Sequence, residues 1–217
     1  LKYEPARSRI CFRYRARTGG AELGRPWHEA AIRDRKRITY TDLIAAAEGL
    51  VEQGVATRDG IVIEGASAVG GTVLAAALLR PELFRAVLAE VPLEDILDTE
   101  MDFTMPYALP ETAEYGDPHI AHEYRYLRSY DPYHDLSANR PLPPTYVDAA
   151  LNDGQVLYYQ PLGTWRSVGS AADRDPELVF RMRMVGGHSS ASHGPSVAET
   201  AAFRIAWVLE QVRRSSG

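Results

Sequence analysis

The sequence predicts an α/β domain, a mostly parallel sheet with helices on both faces, and three observations predict it. Apolar runs short enough for buried strands alternate with longer helical patterns along the whole chain. At residues 61–79 a strand, a sharp small-residue turn and a helix follow one another without a gap. Finally, residues able to carry chemistry fall just after three of the predicted strands, where open parallel sheets gather their reactive groups.

Taken in order, residues 1–17 hold one candidate strand around Ile10 to Tyr14, flanked by arginines. The single cysteine, Cys11, lies in this alternating stretch and reads as a small core residue. Gly19-Gly20-Ala21-Glu22-Leu23-Gly24 is a glycine-rich loop without the spacing or the lysine of a phosphate cradle. Thr39 to Gly54 predicts an amphipathic helix with Leu43, Ala46, Ala47, Leu50 and Val51 on one face and a glycine stop. Ile61-Val62-Ile63 predicts a buried strand, Val73 to Leu79 a buried helix, and Ala86 to Val91 a second strand. Pro92 to Asn139 is irregular, acidic and rich in tyrosine, with one helix near His119 to Leu127; insertions of this kind shape substrate pockets. Thr145 to Ala150 and Leu178 to Met184 are further strands. Pro195 to Val212 is a closing helix with Val197, Ala201, Ile205, Val208 and Val212 inward.

The turn Gly65-Ala66-Ser67-Ala68-Val69 is the chemical centre of this pattern. Strand, serine-bearing turn and helix describe a nucleophile elbow, which lifts the Ser67 hydroxyl above the sheet and aims the Ala68 N–H at an oxyanion. The usual G-x-S-x-G places glycine where Val69 stands. Gly70 and Gly71 follow, so either one residue is inserted or a β-branched side chain shifts or strains the elbow. An ordinary tight turn that lets a helix pack on a strand is the alternative. Asp153 follows the strand at 145–150, and His188 follows the strand at 178–184 in a flexible loop. The order Ser67, Asp153, His188 is that of α/β-hydrolases, with a base for the serine proton and an acid to orient the base. Asn152-Asp153-Gly154 is also ordinary turn chemistry, and His193 rivals His188 within its loop. Asp148 lies inside its strand and aims at the core or a helix.

Composition narrows the partners. The 217 residues, 45% hydrophobic and 24% charged, suit one domain with a proper core, 1–217. A net charge of −5 argues against a nucleic-acid or anionic-membrane surface. One cysteine allows no internal disulfide and agrees with a cytoplasmic location. No apolar run approaches the roughly 20 residues of a membrane span. The chain begins at Leu1 with residues too charged for a signal peptide, so a processed or truncated chain is expected. His119, His122 and Glu123 share helical spacing but lack a distant third ligand, so no metal and no cofactor is expected. The tyrosines from Tyr107 to Tyr133 either line a site or pack the insertion onto the domain.

Several stretches together resemble the prolyl oligopeptidase family, in its oligopeptidase B branch: 19–27, the elbow, 80–86, Val91-Pro92, 126–133, Leu151-Asn152-Asp153 and 187–192. They run collinearly from about Gly19 to the C-terminus. The resemblance implies an α/β-hydrolase catalytic domain, truncated at its N-terminal side, of a serine peptidase acting on short peptides. Its triad would be Ser67, Asp153 and His188, with Ala68 at the oxyanion. It also implies that full-length relatives carry a β-propeller, which these residues do not encode. Relatives of this branch cleave after arginine or lysine, and Glu111 matches one acidic position of that specificity site while Ala113 stands where a second would be. The departures are Val69, Gln155 in place of a substrate-facing arginine, and the loop Arg17 to Glu22. The upstream tyrosine segment that donates to the oxyanion has no counterpart, since neither Tyr3 nor Tyr14 sits in it. An esterase or acylaminoacyl-type hydrolase, or an impaired hydrolase-fold domain with a binding role, are the alternatives.

Overall fold

Four parallel strands form one sheet in the order β1-β2-β3-β4: β1 Ile61–Ala66, β2 Phe84–Glu90, β3 Thr145–Ala150 and β4 Leu178–Arg183. The computed structural model describes residues 18–136, 142–163, 177–189 and 195–214; the strand expected at Ile10–Tyr14, Cys11 and His193 lie outside them. β2 and β3 form the centre. Ala86, Val87, Leu88 and Ala89 are at most 1% exposed, the continuous apolar run that a strand covered on both faces requires.

The helices are α1 Arg25–Glu29, α2 Arg37–Glu52, α3 Ala68–Leu79, α4 Ile96–Met101, α5 Ala108–Tyr115, α6 Ala121–Arg128, α7 Pro132–Leu136 and α8 Pro195–Arg214. One face of the sheet receives α2 and α3, through Ile44, Ala47, Val73, Leu74 and Ala77 against Ile63, Val87 and Ala89. Burying Leu74 alone contributes about 2 kcal/mol. α8 covers the other face, where Trp207 joins Ala86, Leu88 and Tyr146. The expected architecture, a parallel sheet between helical layers, is the one present.

Three local expectations are corrected. α2 turns inward Tyr40, Ile44 and Ala47 rather than Ala46, Leu50 and Val51, because it packs on the insertion as well as the sheet. Tyr40 there meets Tyr130 with ring centroids 5.4 Å apart. α8 leaves Val197 and Ile205 exposed; its buried stripe is Thr200, Trp207 and Gln211. That stripe is selected by polar partners on the sheet: Arg204 pairs with Glu90 at 2.8 Å, and Arg85 Nε donates to the Gln211 carbonyl at 2.8 Å. The insertion is not irregular but holds α4 to α7, of which only α6 was foreseen. Helices of five to eight residues are too short to display a period. α4 is fixed by its cap instead: Asp95 accepts from the Asp98 N–H at 3.2 Å and Asp131 from the Leu97 N–H at 2.7 Å.

Candidate active site

Ser67 sits between β1 and α3 with φ 56° and ψ −129°, a region that L-residues avoid and that persists only when its surroundings enforce it. The enforcement comes from the carboxyl end of β2. The Ser67 N–H donates to the Glu90 carbonyl at 2.9 Å, and the Ser67 carbonyl accepts from the Leu93 N–H at 3.0 Å. Glycines make the approach possible. A Cβ on Gly65 would lie 2.5 Å from the Val69 carbonyl oxygen, and one on Gly71 would lie 1.9 Å from that of Leu93. Val69 itself carries regular helical backbone in the first turn of α3 and is half-buried. The close contacts of the elbow fall at 65, 70 and 71, and Val69 is one of the residues packed against Gly65. Ala68, as the first residue of α3, presents an N–H that has no partner within the helix.

The loops after β3 and β4 bring two further residues to Ser67. His188 Nε2 lies 2.9 Å from Ser67 Oγ, and its Nδ1 lies 2.8 and 3.1 Å from Asp153 Oδ2 and Oδ1. The Asp153 side chain is fully buried and that of His188 is 17% exposed. Asp153 Oδ1 also accepts the N–H groups of Gln155 at 2.8 Å and Val156 at 3.0 Å, so the turn that carries the carboxylate also aims it. Asp148 takes no part in this chain of contacts; it pairs with Arg183 on β4 (Nε to Oδ1 2.6 Å). Burial pushes the Asp148 carboxyl up, with Arg183 opposing.

Arg183 is a residue that sequence reasoning missed. Its Nη1 donates to the Gly187 carbonyl at 3.1 Å, immediately before His188, while its Nε holds Asp148. The Leu151 N–H donates to the Arg183 carbonyl at 2.9 Å, which ties the Asp153 turn to the same residue. An arginine inside a predicted buried strand was the available signal.

The helices of the insertion pack on α2 and α3. Glu111 lies in the first turn of α5, half-buried, with no hydrogen bond or ion pair to its carboxylate among the described residues. Burial and then Glu114 raise its pKa, while Lys36 opposes. Glu114 is engaged with Lys36 and with His28 Nε2 at 3.2 Å. The tyrosines divide: Tyr115 and Tyr130 pack the core of the insertion, whereas Tyr107 and Tyr124 are exposed. His119, His122 and Glu123 do not converge. His119 stacks on Phe103 and meets Asp117 Oδ1 at 2.9 Å, and Glu123 holds Arg33 at 2.8 Å. Among the described residues Asp95, Asp131 and His134 bring ligand atoms within 4.8 Å, but Asp131 there already accepts the N–H groups of Leu97 at 2.7 Å and Tyr133 at 3.0 Å. A surface depression lined by Asp59, Phe84, Arg85 and Pro143 lies at the amino ends of β2 and β3, opposite to Ser67.

Comparison with known proteins places these features. The sequence model of the prolyl oligopeptidase family matches residues 13–215. An uncharacterized peptidase of Sinorhizobium fredii, y4qF, is 71% identical over 196 residues, covering 90% of this chain and 26% of its own length. Protease 2 of Moraxella lacunata is 32% identical over 194 residues, covering 89% of this chain and 28% of its own. The solved structure of oligopeptidase B from Leishmania major superposes with a TM-score of 0.86 at 32% identity, over 91% of this chain and 27% of that one. The chain thus spans about a quarter of the length of these relatives.

Proposed function

The chain belongs to the prolyl oligopeptidase family, and on that premise we propose that it is a serine peptidase domain acting on short peptides through an acyl-enzyme. The observation that carries this reading is one imidazole held between a serine hydroxyl and a buried carboxylate, at 2.9 Å from Ser67 Oγ and 2.8 Å from Asp153 Oδ2. In the proposed reaction Ser67 Oγ attacks the peptide carbonyl carbon while His188 Nε2 takes the hydroxyl proton. Asp153 holds the other ring N–H, which fixes the tautomer and stabilises the imidazolium. The oxyanion forms against the Ala68 N–H. His188 then gives its proton to the leaving amine, the C–N bond breaks, and the acyl group remains on Ser67. Water, activated by the same imidazole, releases it.

Glu111 is proposed to prefer substrates with arginine or lysine on the acyl side of the cut bond, since an unengaged carboxylate matches a guanidinium or an ammonium. The test is labelling by a fluorophosphonate probe together with turnover of arginyl and leucyl peptides. Ser67→Ala and His188→Ala must each abolish labelling and turnover. Glu111→Gln must lower arginyl turnover more than leucyl turnover. Labelling that survives in Ser67→Ala, or turnover untouched by His188→Ala, overturns the assignment.

A further inference from the structure

A row of charged side chains crosses the sheet at the carboxyl ends of its strands, on the side of α8. Successive residues of a strand face opposite sides, and Val62, Leu88, Tyr146 and Val179 pack with Trp207 of α8. Counting by two along each strand puts Glu64, Glu90, Asp148, Arg181 and Arg183 on that same face. Glu90 and Asp148 are direct neighbours in the β2–β3 ladder, where like charges repel. Each is taken by an arginine from a different element. Arg183 holds Asp148 from β4, and Arg204 holds Glu90 from α8, with Nη1 2.8 Å from Oε1. Arg204 Nη2 also pairs with Glu64 of β1.

What Arg204 grips is the frame of the elbow. Glu64 lies just before the Gly65-Ala66-Ser67 turn, and the Glu90 carbonyl accepts the Ser67 N–H at 2.9 Å. Ala66 and Glu90 are the last pair of the β1–β2 ladder, so strand pairing ends where the elbow begins. Ser67 must still keep its φ of 56°, which relaxes once its surroundings loosen. The guanidinium suits the grip. Its Nε has no hydrogen-bond partner among the described residues, while Nη1 and Nη2 take one carboxylate each. A planar fork fixes the spacing of two carboxylates in a way that a single ammonium does not. The Arg204 side chain is 22% exposed and that of Glu90 14%, so this pair is largely shielded from water. Burial, then Asp148, pushes the Glu90 carboxyl up, and burial lowers the Arg204 guanidinium, so each charge is costly without the other.

We propose that Arg204 is a positioning residue for the nucleophile: from α8, on the face opposite to α3, it clamps the ends of β1 and β2 through Glu64 and Glu90 and so holds Ser67 in its strained conformation. The inference rests on the reading of Ser67 as the nucleophile and adds a residue to it. Arg204 touches no substrate; it acts through the spacing of two strands. Arg183 stands in the corresponding place for β3 and β4, with Asp148 and the Gly187 carbonyl as its partners.

The experiment compares the 217-residue chain with Arg204→Met and with a variant that combines Glu64→Gln, Glu90→Gln and Arg204→Met. Arg204→Met alone leaves Glu90 shielded beside Asp148 and should lower the unfolding midpoint, and the combined variant should recover most of that loss. The combined variant therefore separates grip from stability. Hydrogen exchange at single amides and the rate of Ser67 labelling by a fluorophosphonate probe are measured on each. The reference amide is the Val87 N–H, bonded to the Pro144 carbonyl at the far end of β2. Relative to it, the Ser67 and Leu93 N–H groups of the combined variant should exchange about tenfold faster or more. Labelling should slow by about tenfold or more, as expected for a nucleophile displaced by a fraction of an ångström. Ser67 and Leu93 amides that exchange as in the parent overturn the clamp, whatever the labelling rate, and leave the reading of Ser67 to its own test. Faster exchange at both amides, in a protein whose Ser67 is never labelled even in the parent, upholds the clamp and overturns Ser67 as nucleophile.

Discussion

Asp153→Asn is the most informative single change, because the structure dictates how the new side chain must lie. Asp153 Oδ1 accepts two backbone N–H groups, from Gln155 at 2.8 Å and Val156 at 3.0 Å, and an asparagine can meet both only with its oxygen in that place. Its amide nitrogen then falls at the Oδ2 position, 2.8 Å from His188 Nδ1, and donates to it. Nδ1 becomes an acceptor, the ring proton moves to Nε2, and Nε2 can no longer receive the proton of Ser67 Oγ. The fold should be untouched, since both backbone contacts survive. The loss from the wrong tautomer is about 10⁴-fold in kcat, the size seen when a serine-peptidase aspartate is so changed. The assay is serine-dependent turnover of an activated ester and a peptide, beside the thermal unfolding midpoint. Turnover within tenfold of the parent, at an unchanged midpoint, would show that Asp153 does not set the His188 tautomer.

Three further outcomes follow from the contacts. Gly71→Ala drives a Cβ to 1.9 Å from the Leu93 carbonyl oxygen, so it should cost about 3 kcal/mol or more and lower fluorophosphonate labelling along with stability; a fully stable, normally labelled variant would contradict the elbow packing. Arg183→Met frees the Gly187 carbonyl and strands the buried Asp148, at about 3–5 kcal/mol, and Arg183→Met with Asp148→Ala should recover stability but not turnover if Arg183 positions His188. Asp95 has its carboxyl pushed up to about 7 by burial and then by Asp131, so ionising it above the unfolded value near 4 works against folding, increasingly up to pH 7. Asp95→Asn keeps the cap and should raise the unfolding midpoint at pH 8 with the gain vanishing near pH 4; a gain that is larger at pH 4 would reverse the sign of this reasoning.

The architecture was legible where burial is total. β2 and β3 are covered on both faces, so their apolar runs stand out, and α3 reads as a buried helix for the same reason. The elbow was legible because its small residues mark a close approach. Sequence shows that glycines cluster but not what each of them meets: Gly65 lies against Val69 of α3, and Gly70 and Gly71 against the chain at and just after the end of β2. The inward face of α8 was misread because period arguments count apolar side chains, whereas this helix buries Thr200 and Gln211 and uses Arg204 to hold Glu90. Arg183 escaped notice because its role depends on register: only the pairing of Asp148 with Arg181 in the β3–β4 ladder places the Arg183 side chain beside Asp148 and under the His188 loop.

The contact between His188 and Ser67 closes a loop of 121 residues. The two residues lie on loops at opposite edges of the sheet order β1-β2-β3-β4, and β4, half-buried along its whole length, pairs with β3 alone among the described residues. Contacts of such sequence separation are the slow ones to assemble, and an edge strand is the first to open. On the proposed reading, the reactive pair therefore belongs among the late contacts of folding. In that reading a chain with its helices and central strands built would carry Ser67 on its turn without His188 beside it, and should react poorly. In mild denaturant, labelling of Ser67 should fade while the helical signal persists, which makes the active serine a gauge of complete assembly.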